Sequence, residues 1–413
     1  MYRGLAIAAA AVCLVFPAAA VPAAPSALRA DVERYFAELE RIHPDPYHAT
    51  PRDKMRATAD GIVARAENLG DDQVMVELMR LVALLGERDG HAGLFPFDSH
   101  RRTMHAYPFW TYLFPDGVFV VATAGGARVG ERLVAVEGRP VDDVLAAIEP
   151  LQTRDNDWSR KNLAPMFLAS AEVLHGLGVT PTAERATFTF ESRAGVRRDV
   201  TVQARPFSAV RSALRPRFRA YVFGLPQQAK PLFLSHLKSN RWLTTLDHGR
   251  VVYVSYNLVL GGTFDFSDRL LRAARRPKVR RVVIDLRNNP GGEIKTYPPL
   301  LSVLTSRAIN RPARLVLLIG RTTFSAAVHF TADVQMLTRA RLVGEPTGGA
   351  PNHWSDTDPV ELENTGLIVR VPTVYFEKRP GENLTAIEPD ERVDLTAAVY
   401  FAKRDPVLQA ALR

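Results

Sequence analysis

From residue 250 onward, short apolar strands alternate with helical runs. Strand character falls at 251–258, 279–286 and Leu315–Ile319, and helical spacing near 266–274, 294–304 and 325–337. Strand-like Leu342-Val343 and 367–371 follow, and a last helical run covers 407–412. A chain written this way has few choices: repeated strand–helix alternation predicts an α/β core with substantial parallel pairing, here over 249–413.

The segments before it read differently. Residues 25–105 carry three apolar stripes at helical spacing, one through Val32, Tyr35, Phe36, Leu39 and Ile42, one through Met55, Ala59, Ile62 and Leu69, one from Val74 to Leu85. They predict a small helical cap, closed by the glycine-broken loop 86–93. Over 106–207 the period changes to two, with strands about the Pro115-Asp116-Gly117 turn and a hairpin joined by Ala194-Gly195. Residues 153–182 read as an irregular or partly helical insertion, and 208–248, rich in proline and arginine, as a linker. Residues 1–24 combine Arg3, a short greasy run and Ala18-Ala19-Ala20, the pattern of a secretory signal peptide too short for the ~20 apolar residues of a span. The expected location is therefore secreted or periplasmic, with no membrane association after cleavage. The single cysteine, Cys13, lies in that leader, which removes thiol catalysis, disulfides and thiolate metal sites from the rest of the chain. The net charge of +9 comes with scattered arginines, clustered at 275–281 and 211–219. It reads as a solvated basic surface, not a nucleic-acid site.

Two glycine- or serine-bearing turns follow predicted buried strands. In Gly320-Arg321-Thr322-Thr323-Phe324-Ser325-Ala326-Ala327, Ser325 stands between strand and helix, where its oxygen projects from a tight turn beside the helix's free N–H groups. The other role for such a serine is a simple helix cap. The second turn is Asp285-Leu286-Arg287-Asn288-Asn289-Pro290-Gly291-Gly292. A serine nucleophile needs a base and donors for the developing oxyanion. The N–H of Ala326 and that of Gly291 or Gly292 are candidate donors. His91, His329 and His353 are candidate bases, and spacing does not choose among them.

These two turns, followed by Gly344-Glu345-Pro346-Thr347-Gly348-Gly349 and closed by Ile387-Glu388-Pro389-Asp390, resemble in order the core of the C-terminal processing (tail-specific) serine peptidases. The resemblance implies a crotonase/ClpP-like β-β-α core and a PDZ-like domain over 106–207 that captures a substrate's carboxyl terminus by strand addition. One branch of that family uses a lysine just past Gly-Glu-Pro-Thr, where this chain has Gly349, Ala350 and Pro351. The tricorn-like branch uses a histidine early in the chain, and Arg88-Asp89-Gly90-His91 looks like its loop. The resemblance thus implies Ser325 as nucleophile, His91 as base, and a glutamate orienting the histidine, Glu382 with Glu377 in reserve. His329 and His353 are then structural or substrate-contacting. It implies a polypeptide substrate and no metal or organic cofactor. Two other activities are compatible with the fold: a non-catalytic carrier of an apolar ligand, and an esterase.

Overall fold

The computed structural model describes residues 25–215 and 224–413. The leader read over 1–24, with Cys13, and part of the 211–219 arginine cluster lie outside the described residues. The fold is mixed α/β, with several sheets. Its central sheet has six strands, ordered Glu391–Arg392, Arg341–Gly344, Leu315–Ile319, Arg281–Asp285, Val251–Tyr256 and Arg241–Leu246. All neighbours are parallel except the last pair. The near-continuous apolar runs reflect burial on both faces. Val252, Val254, Val282, Ile284, Leu315 and Leu317 face the helices Phe264–Ala274, Pro298–Thr305 and Ala326–Leu337. Their alternates Val251, Tyr253, Val283, Val316 and Leu318 pack on the C-terminal helix Pro406–Leu412.

Arg241–Leu246 lies inside the stretch read as a linker. It pairs antiparallel with Val251–Tyr256, so the core sheet begins before residue 249. Its side chains are half-buried, as suits a sheet edge, and Arg, Trp and two threonines gave it no apolar run. The 153–182 segment is more ordered than its sequence predicts, forming helices Asp157–Ala169 and Ala171–Gly176.

Three helices, Pro25–Ile42, Arg52–Ala64 and Asp71–Ala83, stand on the three apolar stripes. They share one apolar core with a second, antiparallel sheet built from Phe109–Phe114, Gly117–Thr123, Arg132–Val136, Arg185–Glu191 and Arg197–Gln203. The same core takes in Val360, Leu362, Leu367, Val369 and Val371. These belong to a long hairpin, Asn352–Leu362 with Leu367–Glu377, that leaves the central sheet and lies against the first helix. Its tip is fixed by buried Asp31, whose carboxylate accepts the N–H groups of Asn364 (3.0 Å) and Thr365 (2.8 Å).

Candidate active site

Parallel strands end on the same edge of a sheet, and their outgoing loops meet there. Tyr256, Asp285, Ile319 and Gly344 are such ends, so the loops 257–262, 286–293, 320–325 and 345–351 gather at one place. Ser325 sits in that gathering, directly before Ala326–Leu337, at φ 52 and ψ −131. A side chain in this left-handed region costs about 1–3 kcal/mol. The hydroxyl does not repay it by capping the helix, since it makes no cap hydrogen bond. The neighbours hold the turn instead. The Thr323 hydroxyl donates to Leu286 O (3.0 Å) and accepts from Gly320 N–H (3.1 Å), while Phe324 N–H donates to Asn289 O (3.1 Å). The N–H groups of Gly348 and Gly349 both donate to Thr323 O. Three motifs separated in sequence thus fix one strained serine.

The glycine turn touches the serine. Gly291 and Gly292 lie at φ 111 and 132, and a Cβ on Gly291 would fall 2.6 Å from Ser325 Cβ. The Gly291 N–H is already taken, donating to Asn289 Oδ1 at 3.0 Å. Gly292 is bridged to Val259 by its neighbours' groups: Val259 N–H donates to Gly291 O and Glu293 N–H to Val259 O. The N–H groups of Gly292 and Ala326 have no partner among the described residues. Of the two glycines, Gly292 is the one left with a free donor.

All three candidate histidines converge. The His91 ring stacks on Phe324, next to Ser325, at 4.4 Å, and on His353 at 5.0 Å. His353 lies 5.1 Å from His329, which sits one turn beyond Ser325. His353 Nδ1 donates to Ala350 O (2.6 Å). Both ring nitrogens of His91 and of His329 are buried without a hydrogen-bond partner, so no hydrogen bond joins His91 to Ser325 in the free protein. Such bonds are often long without substrate and tighten in the complex. Burial, then the neighbouring His353 and His329, hold the His91 ring well below its usual 6.5. Burial, His353 and Lys378 bring His329 down to about 3. Both rings are neutral near pH 7, the state a general base requires.

The proposed orienting glutamate is not brought to this cluster. Glu382 is exposed and pairs with Arg379 (3.1 Å), and Glu377, also exposed, accepts only from Gly381 N–H (3.4 Å). The reason is geometric: Glu377 ends the long hairpin and Glu382 follows it, both at the surface. The acid that does reach the histidine loop is Asp155, fully buried, which the motifs did not single out. The only local sign of it is the Asp155-Asn156 pair ahead of a helix. Asn156 caps Asp157–Ala169 and also donates to Thr347 O (3.1 Å) and Thr385 O (2.6 Å). The His91 loop is further held by Trp354 N–H on Arg88 O (2.8 Å) and by Thr153 Oγ1 on Ala92 O (2.5 Å).

One polar cluster behind the loop has the composition of a metal site: His43, His48 and Asp89. Its hydrogen bonds argue otherwise. Asp45 N–H donates to His43 Nδ1 (3.1 Å), so that ring's proton is on Nε2, which donates to Asp89 Oδ1 (3.2 Å) and has no lone pair to offer a cation. His48 has Asp45 O at 2.9 Å from Nδ1 and Asp89 Oδ2 at 3.1 Å from Nε2, the latter an ion-pair contact, not an aligned hydrogen bond. Two acceptors facing one ring favour the imidazolium.

Residues 301–393 match the model of Peptidase family S41. No curated protein sequence matches the chain. Among solved structures, mature CPAF complexed with lactacystin is similar at 16% identity and a TM-score of 0.62, covering 93% of this chain and 96% of that one. Another structure of mature CPAF aligns at 15% identity and TM-score 0.58, over 93% and 95% of the two chains. The photosystem II D1 C-terminal processing protease aligns at 14% identity and TM-score 0.40, over 89% and 93%.

Proposed function

We propose that this chain, a serine-type peptidase of the S41 tail-specific kind, cleaves polypeptides through an acyl-enzyme on Ser325. In this reading the Ser325 oxygen attacks the scissile carbonyl while His91 takes its proton. The imidazolium returns that proton to the leaving amine, and water then releases the acyl group. Gly292 and Ala326 N–H groups receive the oxyanion, since both are free and Gly291 is not. The observation that carries the reading is Ser325 itself: strained at φ 52, not capping its helix, and packed against the glycine turn.

The finer features belong to the same proposal. The β-β-α core is of the crotonase/ClpP type, and the 106–207 sheet is a PDZ-like unit that takes the substrate's carboxyl terminus. The composition of residues 1–24 supports export to the periplasm or outside the cell. An alkyl fluorophosphonate probe tests the mechanism. The wild-type protein should label on Ser325 and hydrolyse a denatured polypeptide. Ser325→Ala should lose both, with turnover down on the order of 10⁴-fold or more and the fold retained. An unlabelled wild type would leave the apolar-ligand carrier as the better reading, and labelling with ester but no peptide turnover would favour the esterase.

A further inference from the structure

Asp155 is fully buried and has no Lys or Arg partner among the described residues. A carboxylate in that position is costly if nothing compensates. What compensates is backbone: Oδ1 accepts Gly90 N–H at 2.7 Å and Oδ2 accepts Ala350 N–H at 3.0 Å. The first belongs to the loop that carries His91, the second to the turn that leads to His353. One side chain, carried on the segment before Asp157–Ala169, therefore holds the backbone beside both members of the stacked His91–His353 pair.

Gly90 supplies an independent sign. Its φ is not in the left-handed region, so no turn demands a glycine there. Space demands it: a Cβ on Gly90 would lie 2.7 Å from Asp155 Oδ1 and 3.0 Å from Asp155 Cγ. The glycine just before His91 is there so that this carboxylate can approach.

We propose that Asp155 is a positioning residue of the peptidase, holding the His91 loop and the His353 turn in register with Ser325, and that Gly90 is its receptor. The inference rests on the Ser325–His91 reading. The carboxylate acts through the two N–H groups and through its charge beside His353. Burial raises the Asp155 carboxyl above its usual 3.8 and the nearby Asp89 adds to that, while His353 and the two N–H groups oppose the rise. In its charged form the carboxylate favours a proton-carrying His91 during attack.

Asp155→Asn keeps the shape, but it turns one acceptor into a donor facing an N–H and removes the charge. Gly90→Ala leaves the carboxylate and blocks its approach. Each should lower kcat by about 10- to 100-fold with KM nearly unchanged, since a small misplacement of a catalytic group costs that much. The double variant should be no worse than the poorer single, because both break one contact. In Asp155→Asn the acid limb of kcat/KM should move to lower pH. A merely structural role would predict losses that follow the folded fraction, add in the double variant and leave the pH profile in place. If Asp155→Asn does not fold, Gly90→Ala carries the test. Near-normal kcat and an unmoved acid limb, with Ser325→Ala dead, would overturn this inference alone. A wild type that neither labels nor cleaves would overturn the peptidase reading. Imidazole ¹⁵N spectra then still decide on Asp155: unchanged His91 and His353 signals in the folded Asp155→Asn protein would dismiss the clamp.

Discussion

At the scale of single residues, the site is a set of local costs met by neighbours. Ser325 holds a backbone geometry that glycine tolerates and serine does not. Replacing it with alanine keeps the strain, whereas glycine relieves it. Ser325→Gly should therefore be more stable than Ser325→Ala by about 1 kcal/mol, although glycine normally weakens a helix start relative to alanine. Urea unfolding of the two inactive variants reads the difference, and the opposite order would mean that the turn is not strained. A second cost is the buried Asp89, which shares His43 and His48. Burial works against charge on His48, but Asp89 and the carbonyls of Asp45 and Glu87 outweigh it, so its pKa lies above 6.5. A raised folded pKa stabilises the fold in full below the unfolded value and loses that contribution as pH climbs through the folded one. His48→Gln should accordingly melt below the wild type in mild acid. The gap should close as pH rises, in melting curves taken between about pH 5 and 9. A gap that widened with pH would refute the imidazolium.

At the scale of elements, the long hairpin runs from the histidine cluster to the apolar core of the N-terminal helices. Its base carries His353 beside the nucleophile, and its far end is packed among the N-terminal helices. Asp31 fixes the tip through two backbone N–H groups and the Asn364 amide. Asp31→Ala removes the hydrogen bonds these partly water-exposed donors make to a charged acceptor, which should cost about 1.5–3 kcal/mol. Hydrogen exchange should quicken first at Asn364 and Thr365. Protection unchanged there would show the tip to be held by its apolar contacts alone. The hairpin also marks a limit of sequence reading. Leu367–Glu377 is apolar enough for part of it to be read as a strand. Its partner begins Asn352-His353-Trp354-Ser355-Asp356-Thr357-Asp358, seven residues without apolar alternation, and only Val360 and Leu362 at its end alternate. Its identity as a strand comes from the partner and not from its own side chains. Arg241–Leu246, an edge strand without an apolar run, went unread for the same reason.

At the scale of the molecule, what could be read from sequence and what could not divide by range. The Ser325 turn and the Gly291-Gly292 turn each follow a local rule, a strand broken by small residues; the His91 loop shows only as a glycine-broken loop, and the choice of His91 over His329 and His353 comes from the family resemblance. Asp155 was not visible, because its meaning lies in partners 65 and 195 residues away. Glu382, expected to orient the histidine, instead pairs with Arg379 at the surface, because spacing near a motif does not tell on which side of a hairpin's end a side chain emerges. The same long range implies that the site cannot be divided. His91 and Asp155 come from the first half of the chain, Ser325, Gly292 and His353 from the second. Between the halves run Asn156 to Thr347 O and Thr385 O, Arg321 to Leu113 O (2.6 Å), Thr322 to Asn162 (3.1 Å) and Trp354 N–H to Arg88 O. Cutting the protein into 25–240 and 241–413 would keep the central sheet whole in the second piece, with its serine turn. It would also strip the hairpin's Val360, Leu362, Leu367 and Val369 of the core they fill. Buried apolar side chains are worth roughly 1.5–3 kcal/mol each, so the second piece alone should expose a sticky arm and bind a hydrophobic dye. Neither piece alone should label with the fluorophosphonate probe, and labelling should return only when the two are co-expressed and co-purify. A second piece that labelled by itself at the intact rate would mean that Ser325 is activated without His91, and would move the base to His329 or His353.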